Sequence, residues 1–478
     1  MIAGLQLAVL LATSNRYGYH RDELYFIVAG GHPAFGYPDQ PPLVPLLSWA
    51  MNALAPRSLV VLRSPSAVIA AVTTLLAALI AREVGGDRRA QVIAAACTAV
   101  SGFALAVAHL VSTTTPDLLS TTLLGWLAVR AVARRSGVSL LAAGVVVGLG
   151  VEAKPQVGLV AAVMAVAILA VGPRSTLRSR WALAGALAAV ALAAPYFIWQ
   201  GQHGWPQLTV ARHIAGSQEG GRAGFLPFQL VMVSPVLVPV WVAGLLAPFR
   251  RPGWRRLRFI PVTYVALAVL YLAGDGHAYY LASLYPLLLG LGAIPTADWT
   301  RRSPRRTGIL GVAIILSAGI SAVIALPLLP ARDLNGSVVM ALNSAQGETV
   351  GWPRFVQTAA RAWREIPENA RHRTVIFTAN YGEAGAVDLL GRRLGLPQAY
   401  SGHNGFSEWG PPPAGDTHVL LAGFARPADA APYFTACRIL ATVTNGVGLA
   451  NQEQGLPLML CDVNGPWPRL WPRLTHYD

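Results

Sequence analysis

Apolar stretches close to 20 residues long recur from the first residue to about residue 327, and short arginine clusters punctuate them. Crossing the hydrocarbon core as an α-helix takes about 20 mainly apolar residues, because irregular backbone cannot satisfy its polar groups in lipid. A chain patterned this way folds as a bundle of membrane helices. Its charge content agrees: only 12% of the 478 residues are charged, against about a quarter in soluble chains. The formal charge of +15 is not gathered on one amphipathic face, so it reports topology and not a nucleic-acid partner.

About eleven spans are expected, near 1–13, 62–83, 90–110, 117–133, 138–153, 155–171, 181–199, 226–248, 259–273, 279–297 and 307–328. Met1 to Thr13 has no basic n-region and no small-residue cleavage site, so it reads as a short first span and not a signal peptide. The apolar but short, proline-flanked segment 42–55 reads as interfacial or re-entrant. Strict alternation places Arg82, Arg88, Arg89, Arg134, Arg135, Arg174, Arg178 and Arg180 on one side. Arg250, Arg251, Arg255, Arg256, Arg258, Arg301, Arg302, Arg305 and Arg306 join them, and that side should be cytoplasmic. The first loop (14–41), the Thr113–Asp117 turn, the loop at 200–225, the Asp275–His277 turn and everything past Pro330 then share the outer face.

Residues 330–478 have ordinary globular composition and are long enough for one small domain. Arg373–Thr378, His418–Ala422 and Leu458–Asp462 read as strands and Glu383–Leu394 as helix, so a small α/β domain is expected after a membrane domain over 1–329. Cys437 and Cys461 both fall there; they are either a disulfide, as an extracytoplasmic setting permits, or two unrelated buried thiols.

The first outer loop reads Asp22-Glu23-Leu24-Tyr25, then Tyr37-Pro38-Asp39-Gln40-Pro41-Pro42. Adjacent carboxylates beside a bilayer are costly unless solvated or partnered; they either begin an interfacial helix, where acid suits the positive end, or serve chemistry. Further along come Thr115-Pro116-Asp117, Ala153-Lys154-Pro155 and Tyr279-Tyr280-Leu281 through Tyr285-Pro286. No P-loop or Rossmann glycine fingerprint follows a strand, which argues against soluble nucleotide-sugar chemistry.

In this order, on this alternating topology, the motifs resemble those of the GT-C glycosyltransferases, nearest the bacterial relatives of protein O-mannosyltransferases and of lipid A aminoarabinose transferase. Asp22-Glu23 looks like the family's first-loop acidic signature. The turn at Asp39 looks like its aromatic-acid-Lys-Pro-Pro element, with Gln40 where the family has a basic residue. The resemblance implies a multi-span enzyme of the bacterial plasma membrane with its active site and C-terminal domain outside the cytoplasm. It would move a hexosyl or pentosyl unit, with inversion, from a polyprenyl-phosphate donor to a lipid, glycan or protein acceptor. On that reading Asp22 is the base, Asp39 orients the acceptor or shares the proton, and Glu23 stands closer to a supporting or helix-start role. Lys154, Arg212 and His213 are candidates for the donor phosphate, whose developing charge needs cationic partners. The alternative for Lys154 is a pair with Glu152 or an anchor at the interface. Asp117, His277, Tyr279 and Tyr280 complete the candidate set. No outer cluster has convincing metal-ligand spacing; no metal or cofactor is predicted, although a divalent ion between Asp22, Asp39 and a phosphate is conceivable. Two rivals remain. A transporter of a lipid-linked substrate would bury ionisable groups mid-span, and a non-catalytic assembly protein would tolerate loss of Asp22 and Asp39.

Overall fold

The computed structural model describes residues 1–217 and 221–478, and the chain divides into two compact units. The first comprises Met1–Ser14, Arg63–His203 and Arg212–Leu328; the second comprises Asn15–Leu62, Gly204–Ala211 and Leu329–Asp478.

The first unit is helical. Among the described residues, four helices are long and apolar enough to cross a membrane: Leu59–Glu83, Arg180–Gln202, Ala278–Arg301 and Pro304–Ala325. Two bent pairs, Arg88–Ala99 with Gly102–His109 and Arg222–Val233 with Pro235–Arg250, bring the number to six if each pair is one span. The second bend falls at Pro235, which has no N–H to give to the helical ladder. Ser101 Oγ donates to the Met232 carbonyl (3.3 Å) and Ser317 Oγ to Ser234 Oγ (2.8 Å), so polar groups at the breaks find partners inside the bundle. Shorter apolar helices include Ile2–Thr13, Gly137–Val151, Gln156–Val171 and Phe259–Ala273. Eleven full-length spans are therefore not what the helices themselves display. The loop expected over 200–225 is also largely helical, as Pro206–Ser217 and Gly221–Val233, with 218–220 outside the described residues.

Helices meet through small residues. A Cβ on Gly144 would collide with the Gly185 backbone, and one on Gly292 with the Val240 carbonyl. Such close approach is how apolar helices gain packing energy where no hydrophobic driving force separates them from lipid.

Ion pairs tie the arginine-rich loops together. Glu83 meets Arg134 and Arg130 (3.7 Å), Arg301 bridges Asp87 (2.5 Å) and Asp298 (2.7 Å), and Asp298 also meets Arg251. A second group of loops is joined by Arg222 to Asp275 (2.7 and 2.8 Å), Gln229 to the Ala278 carbonyl (2.8 Å) and Gln156 to the Tyr280 carbonyl (2.7 Å). The 21-residue helix Thr114–Arg134 runs from one group to the other, a span of roughly 30 Å at 1.5 Å per residue.

The second unit holds a five-stranded mixed sheet: β1 (Thr374–Thr378), β2 (Ala399–Ser401), β3 (His418–Ala422), β4 (Phe434–Thr442) and β5 (Pro457–Val463), in the order β2-β1-β3-β5-β4. The β1 strand is parallel to β2 and β3, whereas β5 is antiparallel to β3 and β4. Every residue of β1 is buried, as expected of an inner parallel strand. Cys437 and Cys461 are joined in a disulfide between β4 and β5. The helix expected over Glu383–Leu394 is broken into an α-helical piece Tyr381–Ala386, a π turn and a 3-10 turn.

Candidate active site

Helix Arg21–Gly30 in the second unit is built from its first residues. In its neutral form His20 accepts the Asp22 backbone N–H at Nδ1 (3.2 Å), and Glu23 Oε2 accepts from the His20 N–H (2.8 Å) in either form, so groups that a helix start leaves open are satisfied. Glu23 is fully buried in this capping role. Leu24, Tyr25, Phe26 and Ile27 form the buried face. Gly30 lets Leu43–Leu54 pack against its far end, since a Cβ there would strike Pro45 and Trp49.

Asp22 is thereby left with its carboxylate free of the cap. Its Oδ1 accepts the Tyr381 hydroxyl hydrogen bond (2.9 Å), Arg21 Nε and His20 Nδ1 each stand at 3.6 Å, and the side chain keeps 31% exposure. Asp39 Oδ1 accepts from the Tyr25 hydroxyl (2.7 Å), which in turn accepts from the Gly405 N–H (3.0 Å). The Tyr25 and Tyr381 rings stack, centroids 4.7 Å apart. Asp22 and Asp39 are thus held by the hydroxyls of one stacked tyrosine pair. Asp39 keeps some solvent contact but lies deep among protein atoms. Burial, aided by the charges of Asp22 and Asp478, outweighs its hydrogen bonds and pushes its pKa up to about 7. The buried Gln40 side chain lies at the Tyr25 hydroxyl.

Beneath Asp22, Glu348 Oε2 is 3.0 Å from both His20 Nε2 and Arg21 Nε. Burial works against both charges of the His20–Glu348 pair. Their mutual attraction prevails: with Asp22 and Glu23 it raises the His20 pKa, and with Arg21 it lowers that of Glu348.

The first unit carries the other candidates. Asp117 is buried in the first turn of Thr114–Arg134; its carboxylate accepts from Ser283 Oγ (2.6 Å) and Thr121 Oγ1 (3.2 Å). Lys154 Nζ donates to Thr114 Oγ1 (3.0 Å) and stands over the rings of Tyr279 (5.5 Å) and Tyr280 (5.2 Å), with His277 stacked on Tyr279 at 5.0 Å. Lys154 does not turn to Glu152, whose carboxylate is directed to the Tyr196 backbone. Its cation instead feels the Asp117 charge and two aromatic faces. Arg212 and His213 lie exposed on Pro206–Ser217.

The sequence reading missed the partners more than the acids. Tyr25 stands inside the acidic motif, and Tyr381 lies 359 residues from the Asp22 that it holds. Glu348 and its ion pair with His20 had no local signal, because the two lie more than 300 residues apart in the chain.

The chain was compared with known proteins on this basis. Residues 39–199 match the profile of the dolichyl-phosphate-mannose-protein mannosyltransferase family, a stretch that includes Asp39, Asp117 and Lys154 and stops short of Asp22. The structure of ArnT from Cupriavidus metallidurans bound to undecaprenyl phosphate superposes with TM-score 0.62 at 13% identity, covering 97% of each chain. Its apo form gives 0.62 at 14% identity, covering 100% of this chain and 98% of that one. The chain shares its fold with that structure. No curated protein matches the sequence. The acidic first loop and the Lys154 junction singled out above both prove to be organised polar clusters and not solvated turns.

Proposed function

We propose that the protein is a multi-pass enzyme of the bacterial plasma membrane that transfers a sugar, with inversion, from a polyprenyl-phosphate donor to an extracytoplasmic acceptor. The observation that carries this reading is the placing of Asp22 and Asp39 on one stacked tyrosine pair, within a GT-C fold whose structural relative binds undecaprenyl phosphate. Asp22, the more accessible and the one free of the cap, takes the proton from the acceptor hydroxyl as its oxygen bonds to the anomeric carbon. The bond from that carbon to the phosphate oxygen breaks, and the electron pair leaves with the lipid phosphate. Asp39, predominantly protonated below about pH 7, orients the acceptor through a hydrogen bond; Glu23 supports Asp22 through the helix start.

Lys154 meets the charge on the leaving phosphate, backed by Tyr279 and Tyr280, with Asp117 fixing the local geometry and His277 flanking it. Arg212 and His213 are offered as further cations for the same anion. An apolar groove of about 440 Å³, lined among others by Val147, Val151, Gly158, Ala193 and Phe197, lies between Arg180–Gln202 and the two helices that flank Lys154, and suits a prenyl chain. Eleven spans, a catalytic membrane domain over 1–329 and an extracytoplasmic domain over 330–478 belong to the same proposal. The acceptor is a cell-envelope lipid, glycan or protein.

Transfer assayed with the purified protein and a polyprenyl-phosphate sugar tests the reading. Asp22→Asn should lower turnover by about 10²–10⁴-fold while leaving the thermal melt unchanged; near-native turnover would remove Asp22 from the base role. Mass spectrometry of lipid-linked sugars and envelope glycans from a deletion strain then identifies the sugar and the acceptor.

A further inference from the structure

In the second unit, residues 475–478 run beside residues 402–404, with His403 paired to His476 in a parallel bridge. Four hydrogen bonds hold the strap: His476 N to Gly402 O (2.9 Å), Asn404 N to His476 O (3.0 Å), Asn404 Nδ2 to Asp478 O (3.0 Å) and Asp478 N to Asn404 Oδ1 (3.2 Å). The chain accepts strain to make it. Asn404 sits at φ 49°, ψ −132°, a region that non-glycine residues avoid at a cost of about 1–3 kcal/mol. Such outliers persist where the surrounding structure has a use for them.

What the strap assembles is a set of metal-ligand side chains. The His403 and His476 rings lie 4.5 Å apart at 21°, and Asp478 Oδ1 contacts His403 Nε2. One ligand atom from each of the three lies within 4.8 Å of the others. His476 Nδ1 is 2.9 Å from the Leu474 carbonyl; as the N–H donor there, it leaves Nε2 with its lone pair outward. Metal-bound histidines are oriented by that kind of second hydrogen bond. His403 is 7% exposed, and its Nδ1 has no hydrogen-bond partner among the described residues.

We propose that His403, His476 and Asp478 form a binding site for a divalent transition-metal ion of the zinc class, with a fourth position open to water or another ligand. Two imidazoles and one carboxylate suit zinc, whereas calcium and magnesium prefer all-oxygen shells. Bonds of about 2.0–2.2 Å in a tetrahedron put ligand atoms roughly 3.4 Å apart. The side chains of His476 and Asp478, both exposed, therefore close by about an ångström around the ion. The His403 ring also lies 4.6 Å from that of Tyr381, whose hydroxyl holds Asp22. The ion would thus brace the tyrosine that positions the candidate base, but the site itself stands whether or not the chain transfers sugar.

The test uses the full chain in detergent, purified without a histidine tag, stripped with EDTA and titrated with Zn²⁺ alone. One equivalent bound per chain is expected, with the Co²⁺-substituted protein showing the visible absorption of a four-coordinate site. His476→Ala and Asp478→Asn, surface changes that leave the fold in place, should each weaken Zn²⁺ binding by at least about tenfold. Failure of the parent chain to hold a stoichiometric ion, or binding by His476→Ala within about twofold of the parent, overturns the proposal. The melting temperature of each variant, read without metal, separates loss of a ligand from loss of the fold.

Discussion

At the scale of single residues, the environment assigns different work to neighbouring acids. Glu23 is spent on the helix start, Asp22 is left accessible, and burial pushes Asp39 toward its neutral form. A carboxyl whose pKa rises from 3.8 to about 7 on folding binds its proton more tightly in the folded state. Its contribution to stability is therefore lost as pH rises between those values. Activity should show the same titration: a limb in kcat/KM with a midpoint near 7, absent from Asp39→Asn, seen in a pH series on both proteins. A limb that survives in Asp39→Asn would belong to another group. Lys154 carries a different expectation, because an anion sits on the donor and not on the acceptor. Lys154→Met should raise the KM for the polyprenyl-phosphate sugar by about tenfold or more, the equivalent of one charge-assisted hydrogen bond of 1.5–3 kcal/mol, with the acceptor KM much less affected. Equal changes in both would mark Lys154 as an anchor.

At the scale of elements, helix Arg21–Gly30 shows how a local device and a distant partner combine. The capping pair sets where the helix begins, and Glu348, from far along the chain, fastens that start through His20 and Arg21. His20 has a folded pKa above 6.5, so its share of stability is full below 6.5 and fades as pH rises through the folded value. Glu348 has a folded pKa below 4.5, so its share is full above 4.5 and fades as pH falls through the folded value. Both shares are therefore complete between 4.5 and 6.5. Glu348→Gln should cost about 1–3 kcal/mol in that window, and the loss should shrink above it, which urea unfolding at pH 5.5 and pH 9 would measure. The other elements follow simpler rules: Pro235 bends a span, and glycine faces let helices touch.

At the scale of the whole molecule, each unit carries its own evidence of compartment. The arginine loops of the first unit are cross-linked by ion pairs into one group, which agrees with their sharing a membrane face. The second unit contains a disulfide that closes a 24-residue separation; such a bond forms in oxidising surroundings and contributes about 3 kcal/mol. Single cysteines report this directly. A membrane-impermeant thiol reagent applied to intact cells should label Glu368→Cys and leave Arg305→Cys unlabelled until the membrane is opened. The reverse pattern would put the proposed active face on the wrong side.

The sequence alone determined that the chain is a membrane bundle, which loops gather the arginines and where three of the five strands lie. Those properties depend on hydropathy, on the sign of charge and on period-two patterning, all of which can be read within one short window. It also singled out Asp22, Asp39 and Lys154, because charge beside a bilayer is conspicuous. Helix lengths were less legible: where Pro235 or Ser101 breaks a span, partners from other helices decide whether the freed polar groups are satisfied. Only the tertiary structure decided what each charged group does. Glu348 on His20, Tyr381 on Asp22, Lys154 over Tyr280 and His403 beside His476 are meetings across large sequence separations. A side chain's protonation and reach are set by such neighbours, and packing brings them together without leaving any mark in the local pattern.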